Sequence, residues 1–228
     1  MGKTGAMGIL GCTILQEELL YVLSRDEEIR NLVVMEGASG EAFHHRAREV
    51  LPVLTHILIP YEHLDDVEAC EGLTVIVDIK ETSLHRDPKA FREEVRCICR
   101  AMRDHVSSIL LFFGLCRNAL WKMHEFSNEL DVPIMILEDR EGHEVDDCFG
   151  AVMGGKRIYL KHILEHRGTL FIIPGYAEHW ARKLGSKDVV KALEAYNDLR
   201  FVFERLGYDK VLRIDTHLGD QDDFEKKV

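Results

Sequence analysis

Short apolar runs rich in β-branched residues recur along the chain, each followed by a longer stretch in which apolar residues return three and four positions apart. The runs are Met7 to Ile14, Leu32 to Met35, His56 to Pro60, Thr74 to Ile79, Ser108 to Gly114, Pro133 to Leu137, Thr169 to Pro174 and Lys210 to Asp215. Between them, Leu15, Leu19, Val22 and Leu23 share one helical face, as do Ala119, Leu120, Met123 and Phe126. The runs predict strands and the spaced stretches predict helices. Their alternation predicts an α/β fold of mostly parallel sheets flanked by helices.

The order of features states one theme twice. A strand leads into Gly11-Cys12 and a helix, and about a hundred residues later a strand leads into Gly114-Leu115-Cys116 and a helix. In each half the second strand ends in an acid, Met35-Glu36 and Leu137-Glu138, before a glycine-containing loop. The third ends in Ile59-Pro60 and then Ile173-Pro174, and the fourth in Val77-Asp78 and then Ile214-Asp215. This pattern predicts an internal duplication with two pseudo-symmetric Rossmann-like halves, 1–104 and 105–228, packed as one unit around a cleft. Ligands of open α/β sheets gather at such a switch point.

Charge and composition narrow the function. Of 228 residues, 29 are Lys or Arg and 40 are Asp or Glu, a formal charge of −11, so a nucleic-acid partner is excluded for want of a basic face. Apolar residues make up 46%, ordinary for a globular chain and enough for a full core. No apolar run approaches the ~20 residues of a membrane span, and no export signal opens the chain, so a cytoplasmic protein without a membrane partner is expected. Six cysteines are too few for a disulfide scaffold, which makes each either a buried thiol or a ligand.

Cys12 and Cys116 hold equivalent places, where a first strand turns into a helix; backbone N–H groups and the helix dipole there are expected to favour thiolate. Cys148 follows Glu144, Asp146 and Asp147 in the loop beyond the second half's second strand, and its counterpart in the first half is His44 or His45. Three thiolates and one imidazole form a soft set, suited to zinc or an iron–sulfur cluster. A shared zinc would draw the sulfurs within about 4 Å of one another. Asp78, Asp147, Asp215 and Tyr176 are the candidate polar contacts to a ligand or cofactor. Cys97 and Cys99 lie on an amphipathic helix and Cys70 has no ligand neighbours, so these three read as packing residues. His162 and His166 have a metal-ligand spacing, but the flanking Lys161, Glu165 and Arg167 read as an exposed helix end, and the pair is set aside. The chain carries no dinucleotide glycine fingerprint, P-loop, nucleophile elbow or HExxH.

Gly11-Cys12 with Glu18-Leu19, Gly114-Leu115-Cys116, Asp147-Cys148 with Gly154, Gly168-Thr169 through Pro174-Gly175, and Leu206-Gly207-Tyr208 through Asp215-Thr216 resemble the family numbered 1638 among the domains of unknown function. The resemblance runs from about Gly8 to Phe224. It implies an α/β domain common in methanogenic archaea and some anaerobic bacteria, often encoded beside corrinoid-dependent methyltransferases, and no known reaction. Many members resemble Leu-His-Asn-Arg-Pro where this chain has Phe43-His44-His45-Arg46-Ala47, a correspondence that favours His44 as the ligand although the proline is missing. The expected function is a zinc or iron–sulfur protein with Cys12, His44, Cys116 and Cys148 as ligands, serving corrinoid-dependent methyl transfer or cofactor maturation. Its partners would be a small molecule or metallocofactor, a corrinoid protein or a methyltransferase, and homo-oligomers are allowed. The alternative is a non-catalytic module that binds a small molecule or corrinoid.

Overall fold

The computed structural model describes residues 5–67, 72–81, 87–178, 201, 203 and 205–219. All eight predicted strands form: β1 (Gly5–Cys12), β2 (Ile29–Met35), β3 (Thr55–Ile59), β4 (Leu73–Lys80), β5 (Ser108–Phe112), β6 (Ile134–Ile136), β7 (Thr169–Ile172) and β8 (Lys210–Arg213). The first six make one parallel sheet in the order β3-β2-β4-β1-β5-β6. The molecule is α/β, with helices α1 (Gln16–Ser24), α2 (Ala38–Val50), α3 (Pro88–Met102) and α4 (Met123–Leu130) connecting its strands.

β1 is apolar on both faces because it is covered on both, as central parallel strands are. Leu10 and Cys12 join the core that holds Phe91, Val95 and Met102 of α3, whereas Ile9 joins Leu19, Leu20 and Leu23 of α1 on the other side. Asp87 starts α3 by accepting from the N–H groups of Lys89 and Ala90, with Pro88 in the first turn, where a missing N–H costs nothing. α1 is rotated from the expected face: Leu20 is buried and Val22 is 49% exposed. Ala119 and Leu120 are buried as expected, but they precede α4 in an irregular turn.

From β1 the chain moves one way across the sheet to β2, and from β4 it moves the other way to β5. The direction therefore reverses between β1 and β4, and the carboxyl ends of these strands flank the crevice. The sheet also continues across residue 104: β5 pairs with β1 over Met7 to Gly11, so residues on both sides of that boundary share one sheet. β5 is too apolar to stand alone, and it buries Ile109 and Leu111 beside β1. β7 and β8 pair in parallel as a separate small sheet, next to α5 (Cys148–Met153) and α6 (Lys156–Glu165). No helix among the described residues is long and apolar enough to cross a membrane.

Candidate metal centre

Three segments converge at the carboxyl edge of the sheet. β1 ends at Cys12, which is 3% exposed and whose Sγ accepts the Ile14 N–H at 3.4 Å in a short 3-10 turn, Thr13–Leu15. β5 runs on to Gly114, Leu115 and Cys116, where the N–H groups of Leu115 and Cys116 bond to the carbonyls of Val145 and Asp146 at 2.8 and 2.9 Å. This pairing sets Cys116 beside Asp147 and Cys148, the cap and first residue of α5. Gly114 permits the approach, since a Cβ there would lie 2.5 Å from the Asp147 nitrogen. Gly175, beyond β7, is as tight against the Cys12 turn: a Cβ would overlap the Ile14 carbonyl.

Cys116, Arg117 and Asn118 are all left-handed, with φ of 46°, 60° and 61°. Such a run costs roughly 1–2 kcal/mol per non-glycine residue and persists where surrounding contacts impose it. Arg92 of α3 supplies two of these contacts, donating to the carbonyls of Asn118 (2.9 Å) and Ala119.

The three thiols lie within reach of one another's charge. Burial pushes Cys12 up to about 11, and burial with the neighbouring Cys12 and Asp147 pushes Cys116 up to about 12. Cys148 is held well above the ordinary thiol range by burial, then by Cys12, Asp147 and Cys116. The expectation of thiolates is thus corrected for the metal-free protein: the N–H of Ile14 does favour ionisation at Cys12, but desolvation outweighs it. These are neutral thiols that would ionise only against a bound cation, releasing protons as they do. Their sulfurs are not closed to zinc distance. Among the described residues, the group of three or more His, Cys, Asp or Glu donors lying within 4.8 Å of one another is His162, Glu165 and His166.

The model of the family described as "Protein of unknown function (DUF1638)" matches residues 79–228. The chain belongs to this family. The matched portion includes Cys116 and Cys148, whereas Cys12 precedes it. No curated protein matches the chain. Among solved structures, it is similar to the signal recognition particle receptor FtsY from Elizabethkingia anophelis, at 13% identity and a TM-score of 0.37 over 60% of this chain. The chain spans about half the length of that receptor, 51%.

His44 is not with the cysteines. It lies midway along α2 with its ring 5.9 Å from that of His56. His56 is in register with Leu32, Leu32 with Val75 and Val75 with Met7, which places His56 three strands and five residues from Cys12. At ~4.8 Å per strand and ~3.3 Å per residue, that separation is about 20 Å. The helical register of α2 decides this placement: Phe43 and Ala47 occupy the core, leaving His44 and His45 outside the carboxyl-edge loop. His45 is exposed and pairs with Glu49 at 3.6 Å. Asp147 is the polar residue that stands with the trio. It is half-buried, accepts the Gly150 N–H at 2.8 Å, and has its carboxyl raised, chiefly by burial.

The other candidates separate. Asp78 is 3% exposed and already satisfied, accepting from the Tyr61 hydroxyl and from Lys80 Nζ at 3.0 Å. Asp215 is exposed and closes its own turn, accepting the His217 N–H at 2.7 Å. Tyr176 packs edge-on to Phe149 and lines a cavity of about 330 Å³ with Phe149, Tyr159, Phe171 and Tyr208. A second cavity of about 330 Å³ lies between α1 and α5, and Glu18 lines it. Burial pushes the Glu18 carboxyl up to about 7. Cys99 is buried and Cys97 exposed on α3, and Cys70 lies outside the described residues. Sequence reading missed Glu18 and Glu165. The His-x-x-Glu-His spacing at 162–166 was a signal for Glu165, while Glu18 has no sequence signal, because its surroundings come from residues 112–155.

Proposed function

We propose that the protein binds a metallocofactor through Cys12, Cys116 and Cys148, with Asp147 rather than His44 as the adjoining donor. The observation that carries this reading is the convergence of Cys12 on Cys116 and Cys148, more than a hundred residues further along the chain, close enough that the charge of Cys12 raises both. Desolvation raises all three thiols, and Cys12 further opposes the ionisation of Cys116 and Cys148, so a cation is needed before all three can be thiolates. Soft sulfur donors select zinc or an iron–sulfur cluster. A lone zinc at Zn–S of ~2.3 Å draws its sulfurs closer than this trio stands, so the wider body of a cluster suits it better.

Three cysteine ligands leave one metal position open, and a bound cluster there supplies electrons or a Lewis-acidic site. Around it, Gly175 and Ile14 hold the Cys12 turn, Arg92 holds the Cys116 turn, and the apolar residues of the two cores limit access of water. The role proposed for the centre is corrinoid-dependent methyl transfer or cofactor maturation in anaerobic metabolism, in the cytoplasm, where thiols stay reduced. A corrinoid would belong to a partner protein, because a cavity of about 330 Å³ takes a small ring system and not a corrin macrocycle.

Anaerobic purification followed by metal and sulfide analysis and an electronic spectrum tests this. The expected result is bound iron with sulfide-to-iron absorption that disappears in Cys116→Ser. A folded protein with three titratable thiols, taking up neither iron nor zinc on reconstitution, overturns it. The cavity beside Tyr176 favours a second reading, a small-molecule binding module. That reading requires ligand-dependent stabilisation that survives joint replacement of Cys12, Cys116 and Cys148.

A further inference from the structure

We propose that His162, Glu165 and His166 form a second, separate metal site, for a borderline divalent ion such as zinc, at the rim of the aromatic cavity. One donor atom from each of the three lies within 4.8 Å of the others. Spacing i, i+3, i+4 gathers them on one turn at the carboxyl end of α6, where the helix dipole favours a cation. The imidazole rings of His162 and His166 lie side by side on this turn, 5.9 Å apart and 13° from parallel. His162 Nδ1 is buried without a hydrogen-bond partner among the described residues, a desolvated nitrogen that a cation would satisfy. Among the described residues Glu165 is paired with Lys161, at 3.9 Å with both side chains mostly exposed, a pair too weak to compete with a metal.

Nitrogen and carboxylate donors of this kind select zinc, cobalt or nickel over calcium and magnesium, and they contrast with the all-sulfur set at the sheet edge. Three protein ligands leave further coordination positions for water or a bound molecule. His166 also lines the cavity with Tyr159 and Tyr176, so the proposed site borders it.

Cobalt(II) titration of the full chain reads the two sites separately, because thiolate ligation gives intense near-ultraviolet charge transfer and imidazole–carboxylate ligation gives only weak visible bands. The expected result is a stoichiometric species with weak bands alone, bound roughly tenfold or more weakly in His162→Ala and His166→Ala and more weakly in Glu165→Gln. Glu165 and His166 are exposed and His162 is partly buried, with none in the apolar core, so these variants keep the fold, which circular dichroism checks. The same species should persist in Cys116→Ser, whatever becomes of the sulfur site. Two outcomes overturn the proposal: cobalt binding only with thiolate charge transfer, or weak-band binding unchanged in the His162→Ala/His166→Ala double variant.

Discussion

The Cys12 turn and the Cys116 turn begin alike and end differently. Both follow adjacent central strands, and both carry a cysteine one residue or two past a glycine. Cys12 is 3% exposed, has extended backbone and passes through a single 3-10 turn into α1. Cys116 opens a left-handed run of three residues, and α4 does not start until Met123. The first turn keeps ordinary backbone angles although Gly175 presses on it. The second is imposed from outside, by Arg92 and by the segment 145–147 to which its backbone is bonded. Equivalent sequence positions therefore need not be structural equivalents when one of them borrows its conformation from a distant segment.

The largest effects should come from the two glycines that let other segments press on these turns. Gly175→Ala forces a methyl into the Ile14 carbonyl, and Gly114→Ala forces one into the Asp147 backbone. Each should lower stability by about 3 kcal/mol, measured by urea denaturation, and each should abolish metal uptake at the trio. If either variant loads metal normally, the corresponding contact is not what shapes its turn.

A middle-sized effect belongs to Glu18, one turn into the helix that leaves Cys12. Its carboxyl is raised from 4.5 to about 7 in the native state, so the folded protein binds the extra proton in that interval. Stability should then fall as pH rises from about 4.5 through about 7 and level off above, by on the order of 1–3 kcal/mol. Asp147 contributes with the same sign, so the informative quantity is the difference between the native chain and Glu18→Gln at pH 5 and pH 8. Identical pH dependence of the two would remove Glu18 from the account.

The smallest effect sharpens the contrast directly. Cys12→Ser exchanges a fully buried sulfur for a hydroxyl and should cost about 1–2 kcal/mol, whereas Cys116→Ser, at a partly buried position, should cost less, about 0.5–1 kcal/mol. Equal costs in thermal denaturation would mean that the two turns are more alike than their backbones suggest.

All eight strands and the parallel α/β class were legible in the chain because apolar periodicity is a local property, set by which side chains must leave water. The cysteines in turns were legible too, as residues ending apolar runs. The His44 assignment failed because matching loops by their distance from a strand ignores helical register, and Phe43 and Ala47 turn α2 so that His44 meets His56. The sheet crosses residue 104 because strand partners are chosen by the burial available beside β1, whereas repeated motifs report only chain order. By itself the sequence determined the elements, the acidic balance and the candidate sulfurs. Only the tertiary structure decided that the segments of Cys12, Cys116 and Cys148 converge, that burial raises their thiols, and that Asp147 stands beside them, since proximity and desolvation depend on segments far apart in the chain.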